Sequence, residues 1–200
     1  MEITKERTLV LVKPDGVQRS LIGEVIKRIE RTGLKLVALK FMVPTKELIE
    51  KHYLLDPEWL VKAGTKSFTA YEKNGKKCPH ASPLEAGKNI LVHLQNYLTS
   101  GPVVVMVWQG AHAVGIVRKL VGSTEPLSSD VGTLRGDYVI DSYELSDLVG
   151  RSIRNLIHAS SSPQEANGEI GLWMKEGDMI EYRLVQEQIL YDVNLDGILE

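Results

Sequence analysis

A single cysteine, Cys78, stands among 200 residues, so the chain has no internal disulfide and no cysteine-ligated zinc site to offer. One unpaired thiol suits a reducing compartment, and a cytoplasmic location is expected. Charge of one sign is missing too. With 24 Lys and Arg against 26 Asp and Glu, the formal charge of −2 provides no field for nucleic acid or a membrane surface. Any anion site must come from cations placed locally. No apolar run is long enough to span a bilayer, and the run at 8–12 is cut by Lys13-Pro14-Asp15, so neither a signal peptide nor a membrane span is expected. The common phosphate fingerprints are also absent. There is no G-x-G-x-x-G and no G-x-x-x-x-G-K-[ST]: Gly110 and Gly115 have the latter's glycine spacing but are followed by Ile116 and Val117. His52, His80, His93 and His112 lack a second histidine or carboxylate at metal-ligand spacing and are set aside as surface or helix residues.

What is present reads as one domain, 1–200, with an insertion at about 56–99. A compact apolar strand at 8–12 runs into the turn Lys13-Pro14-Asp15-Gly16. An amphipathic helix over 20–31 follows, with Leu21, Ile22, Val25, Ile26 and Ile29 inward and Gly33 as its stop. The next strand, 34–43, is ended by Pro44, and Thr45 caps a helix that reaches Tyr53. Helical pieces lie in 58–71, a loop at 74–79, and Ser82-Pro83-Leu84-Glu85 starts a helix to about 98. A strand at 103–108 and a helix at 111–121 come next, the latter stopped by Gly122. Residues 123–137 read as a long loop, 138–150 as irregular, and a short strand near His158 precedes one more capped helix and a charged C-terminal tail. The order suits an α+β fold of the ferredoxin-like kind, a four-stranded antiparallel sheet with helices on one face.

Chemistry concentrates at Asn155-Leu156-Ile157-His158. After the histidine, Ser162 reads as an N-cap, Pro163 as the first helical residue and Glu165 as the partner in a capping box, with Ala166, Ile170 and Trp173 on the buried face. An imidazole on a strand end just ahead of a helix N-terminus, where an anion is favoured, is a candidate nucleophile toward phosphorus. Glu169 lies at the edge of the buried face, where its carboxylate can hold one ring nitrogen and leave the other free. Three cations sit where surface decoration is not the obvious reading: Lys13 at the end of the first strand, Arg118 late in a helix, and Arg135 in Gly132-Thr133-Leu134-Arg135-Gly136-Asp137.

Taken together, KPDGVQR, SGPVVVMVW, VGSTEP, GTLRGDY and NLIHASSS…E occur in the order found in nucleoside diphosphate kinases, and over residues 7–53 and 100–173 the chain resembles that family. The resemblance implies that His158 accepts the phosphate and that Ser160 and Glu169 hold its ring. It also implies that Tyr53 lies near the transferred phosphate, and that Lys13, Arg118, Thr124, Arg135 and Asn155 bind phosphates and ribose. Mg²⁺ would bridge phosphate oxygens without a protein metal site. Partners would be nucleoside di- and triphosphates, with the chain in a homo-oligomer, tetramer or hexamer. Two departures stand out. Ser161 occupies the place where the family usually has aspartate, and 56–99, the segment that normally bears the base-stacking aromatic, is longer, with Trp59 the nearest candidate. A nucleotide-sensing module without turnover, or a structural oligomer with a dead site, is the rival reading; a nucleophile and cations present together argue against both.

Overall fold

The computed structural model describes residues 3–73, 75–175, 177–192 and 194; Asn74 of the expected loop and residues 195–200 of the charged tail lie outside them. Strand β1 (Arg7–Val12) is followed by a single helical turn, α1 (Pro14–Gln18), and by α2 (Ile22–Glu30). The one helix expected over 20–31 is therefore preceded by a short second one, split from it at Ser20, which takes a left-handed φ of 57°. Pro14, at the first helical position, sets the backbone angle that lets the turn begin so early. β2 (Lys35–Met42) leads to α3 (Lys46–Tyr53), whose Thr45 cap accepts from the Leu48 amide as expected.

The segment 56–99 is a helical hairpin, α4 (Trp59–Lys73) and α5 (Pro83–Leu98), where the sequence suggested only helical pieces before residue 82. Two glycines make the close approach possible. A Cβ on Gly64 would come within 1.7 Å of the Pro83 carbonyl oxygen, and one on Gly87 within 2.0 Å of that of Leu60. β3 (Val103–Gln109), α6 (Ala113–Val121), the short α7 (Leu134–Tyr138) and α8 (Tyr143–Val149) follow. The last two replace an expected loop and irregular stretch. Each carries a local signal in hindsight: Thr133 caps the Gly136 amide, Ser142 caps that of Leu145, and Gly150 closes α8 at a φ of 68°. β4 (Ile157–Ala159) is followed by α9 (Pro163–Trp173), capped by Ser162, and by α10 (Glu187–Leu190) in the tail.

All strand pairs are antiparallel, in the order β2-β3-β1-β4, which is the ferredoxin-like arrangement. The helices pack on both faces, not one. Val10, Val12, Met106 and Trp108 meet Val25 and Ile29 of α2 and Val117 of α6, while Leu9, Leu11, Val105 and Val107 meet Ile49 of α3, Leu98 of α5, and Ile170 and Trp173 of α9. Double-sided burial explains why β1 and β3 read as unbroken apolar runs without alternation. The tail lies on the β2 edge: the Ile180 amide donates to the Val37 carbonyl at 2.8 Å, and Lys35 pairs with Glu187 at 2.8 Å. Farther along that edge Leu39, Phe41 and Val43 are exposed.

Candidate active site

β4 alternates as a strand must, sending Ile157 and Ala159 into the core beneath α2 and α6. His158, opposite Leu11 in the register, therefore projects on the other face, toward α3 and α9. The histidine lies in the middle of the strand rather than at its end. The cap by Ser162 starts α9 so that Glu169, almost two turns along, points back at it. Glu169 Oε1 stands 2.7 Å from His158 Nε2, and Glu169 Oε2 accepts from the Ser160 hydroxyl at 2.6 Å. That hydroxyl accepts in turn from the Leu9 amide at 3.1 Å, so the β1 backbone anchors the chain Leu9–Ser160–Glu169–His158.

The electrostatics follow from burial. The His158 side chain is 18% exposed and that of Glu169 only 2%, so solvent reaches the imidazole but not the carboxylate. Burial alone would raise the Glu169 pKa, yet the neighbouring His158, with hydrogen bonds from it and Ser160, holds it below the ordinary glutamate value. An ionised carboxylate can only accept, so the network assigns the proton to His158 Nε2 and leaves the Nδ1 lone pair outward. Ser160 and Glu169 thus join His158 in one hydrogen-bonded chain.

The cations gather at the end of β1. Lys13 Nζ donates to Asn155 Oδ1 at 2.6 Å, and Asn155 Nδ2 donates to the Thr124 carbonyl at 2.8 Å. Burial first, then the charge of Arg135, lowers the Lys13 pKa to about 7, with Asp15 acting in the opposite direction. Arg135 differs from a simple phosphate clamp. Its guanidinium donates to four backbone carbonyls, those of Asn155 (3.1 Å), Ile157 (2.6 Å), Gly122 (3.1 Å) and Ser123 (2.8 Å). Of five N–H donors, one is left. Arg135 therefore pins the loop after α6 to β4. Arg118 is half-buried and its guanidinium makes no hydrogen bond among the described residues, although its charge is felt at Arg135. The Thr124 side chain is exposed on the pinned loop.

Tyr53, the last residue of α3, packs its ring 4.7 Å from that of Trp59 at the start of α4. Burial raises the Tyr53 phenol well above its usual range, keeping it protonated. Ser161, which replaces an expected carboxylate, bonds through both its amide and its hydroxyl to Glu165 Oε2. Glu165 thereby returns a carboxylate to the same turn, reaching Ser161 rather than the Ser162 amide that a capping box would use.

Two neighbours escaped the sequence reading. His52, set aside there, is buried on α3 with its ring 4.7 Å from that of His158. Arg154 lies over the Tyr97 ring at 4.1 Å, and the Tyr97 hydroxyl donates to Asp15. Neither had a signal in linear spacing; His52 and His158 are brought together only by packing α3 against the sheet.

Comparison with known proteins places the whole chain. The family model described as nucleoside diphosphate kinase matches residues 6–70 and 80–179, omitting the end of α4 and the turn that follows it. A nucleoside diphosphate kinase of Pyrobaculum aerophilum is 49% identical over 180 residues, covering 88% of this chain and 98% of the relative. One from Ginglymostoma cirratum is 40% identical, covering 94% and 99%. Among solved structures, an NDP kinase from Pyrobaculum aerophilum superposes with a TM-score of 0.85 at 47% identity, over 88% of this chain and 100% of the other. A transition-state mimic of the Borrelia burgdorferi nucleoside-diphosphate kinase with bound vanadate and ADP gives 0.76 at 34% identity, over 93% and 96%. With the family model covering most of the chain and its length matched by these proteins, the chain belongs to the nucleoside diphosphate kinase family.

Proposed function

We propose that the protein moves the γ-phosphoryl group of a nucleoside triphosphate to a nucleoside diphosphate through a phosphohistidine on His158. The observation that carries this reading is the 2.7 Å contact between His158 Nε2 and the buried Glu169 carboxylate, which leaves Nδ1 as the free lone pair. In the first half-reaction Nδ1 attacks the γ-phosphorus in line. The N–P bond forms as the bond to the bridging oxygen breaks, and its electron pair leaves with the diphosphate. The ring gains positive charge, which Glu169 balances across the Nε2–H contact. A second diphosphate then enters the same cleft and reverses the steps, so the kinetics are ping-pong.

Lys13, Arg118 and the remaining N–H of Arg135 face the equatorial oxygens in this reading, with Asn155 and Thr124 on phosphate and ribose and the protonated Tyr53 hydroxyl near the transferred group. The donor set around the phosphates is cationic or neutral, and Asp15 is already committed to Tyr97 and the Leu156 amide, so Mg²⁺ fits as an ion carried by the nucleotide. Such an ion neutralises charge on the phosphate oxygens. Trp59, packed on Tyr53, offers the face on which a base stacks. Residues 56–99 form a hairpin within one catalytic domain, and the cytoplasm suits the lone buried thiol. No helix among the described residues is long and apolar enough to cross a membrane. Exposed apolar side chains at Leu39, Phe41 and Val43, and separately at Leu127, Val131 and Ile140, support a homo-oligomer with two kinds of contact, a tetramer or hexamer, which light scattering would count.

The direct test is incubation with γ-labelled ATP. Wild type should acquire an acid-labile, base-stable label and pass it to a non-adenine diphosphate, while His158→Ala should bind nucleotide and take up none. Binding without any label in wild type would favour the sensing module instead.

A further inference from the structure

We propose that His52 is a positioning residue for His158: with its own tautomer set by Trp173, it turns an Nε2–H onto the Glu169 carboxylate and so fixes which nitrogen of His158 attacks. Trp173 Nε1 is a donor only, and it lies 3.1 Å from His52 Nδ1. That nitrogen must accept, so the proton of the neutral ring resides on Nε2. The same Nε2 faces Glu169 Oε1 at 3.6 Å, and the ring stands edge-on to His158 at 83°. Oε1 thus takes the 2.7 Å contact of His158 and faces the His52 N–H at 3.6 Å, while Oε2 receives the Ser160 hydroxyl, so donor groups on both sides hold the carboxylate toward His158.

The chemistry needs His52 to stay neutral. A cationic ring there would compete for the Glu169 charge that balances His158 as the N–P bond forms. Burial first, then the nearby His158 and Lys13, push the His52 pKa down to about 3, against the opposing pull of Glu169. The rings of Tyr53 and Trp173 also stand edge-on to it. The same tautomer argues against a bound metal, even though ligating atoms of His52, His158 and Glu169 lie within 4.8 Å of one another. Coordination through His52 Nε2 would put a proton on Nδ1, directed at the indole N–H.

The rate arm of the test rests on the phosphohistidine reading, and the spectroscopic arm does not. In ¹⁵N spectra of histidine-labelled protein, His158 of wild type should show a protonated Nε2 and an unprotonated Nδ1, whereas His52→Phe should show a mixture of tautomers. In single-turnover measurements with ATP, His52→Phe should slow phosphoenzyme formation about tenfold with nucleotide affinity changed less than about twofold. His52→Gln, which keeps an N–H donor, should recover most of the rate. Trp173→Phe, which keeps a ring but releases Nδ1, should fall between. A His52→Phe variant with wild-type rate and an unchanged His158 tautomer would overturn the proposal. So would equal losses in the Phe and Gln variants accompanied by equal drops in Tm, which would leave His52 as packing alone. Failure of wild type to form phosphohistidine would instead remove the kinase reading while the tautomer measurement stood.

Discussion

Arg135 and Arg118 look alike in sequence and are separated by what their guanidinium groups touch. Arg135 binds four backbone carbonyls while 3% exposed, so Arg135→Ala leaves buried acceptors unpaired on two segments at once. At ~1–3 kcal/mol per orphaned group, the loss should be on the order of 3 kcal/mol. For a chain of this size that is a Tm lower by roughly 6–12 °C without ligand. Arg118→Ala should leave Tm within about 1 °C and slow phosphoryl transfer by tenfold or more, since about 1.5–3 kcal/mol of charge-assisted contact is lost only when phosphate is present. Calorimetry of both variants, with turnover, separates the roles; equal Tm values would show that the carbonyl pinning is not structural. A second pair divides the two glutamates of α9. Glu169→Gln should lower kcat several-fold or more with little change in nucleotide affinity, because an amide cannot balance the charged ring. Glu165→Gln can still accept from Ser161 and should turn over like wild type. If both behave alike, the orienting role of Glu169 is wrong.

At the scale of the elements, capping chemistry is the signal that served best. Thr45, Ser82 and Ser162 each cap the helix that the sequence assigns to them, because a cap is a contact between residues three apart and needs no distant partner. The same logic was available at Thr133 and Ser142, whose helices run only five and seven residues and show too little periodicity to announce themselves. The α4–α5 hairpin depends on a different kind of fact. Its two glycines face backbone of the opposite helix, Gly64 at Pro83 and Gly87 at Leu60, relations across the hairpin that spacing does not encode. Gly64→Ala should therefore force the helices apart, since the new methyl would lie 1.7 Å from the Pro83 carbonyl oxygen. A destabilisation of about 1–3 kcal/mol is expected. It should be read as a lower Tm together with faster hydrogen exchange in α4 and α5, while Gly23→Ala, which meets nothing within 4 Å, should be neutral or slightly stabilising. Unchanged exchange in the hairpin would mean that the helices tolerate the methyl by sliding.

For the whole molecule, Lys13 couples stability to ligand binding through pH. Its pKa falls from 10.5 in the unfolded chain to about 7 in the fold. Between those values the unfolded chain binds more protons, so this group makes the free protein more stable as pH rises from 7 toward 10. Bound phosphate acts oppositely, favouring the charged amine. Nucleotide affinity should therefore weaken as pH rises above 7, and binding at pH 8 should take up a proton, measurable by titration calorimetry in buffers of different ionisation enthalpy. Affinity independent of pH from 7 to 9, with no proton uptake, would show that Lys13 is charged before the ligand arrives.

By itself the sequence determined the elements whose cause is local and the family whose motifs are ordered along it. The β1 and β3 runs, the capped helices, His158 as a candidate nucleophile and the place of Glu169 on α9 all follow from propensity, periodicity and residue type. Tertiary structure decided what depends on long-range approach. It placed helices on both faces of the sheet, since apolar runs record burial but not direction, and it spent most of the Arg135 donors on backbone from two other segments. It also set His52 against His158, 106 positions away along the chain, where burial gives an otherwise unmarked imidazole a fixed tautomer and a neutral charge. Propensities and caps act over a few residues and can be read in order, whereas desolvation and hydrogen-bond partners are properties of a packed interior.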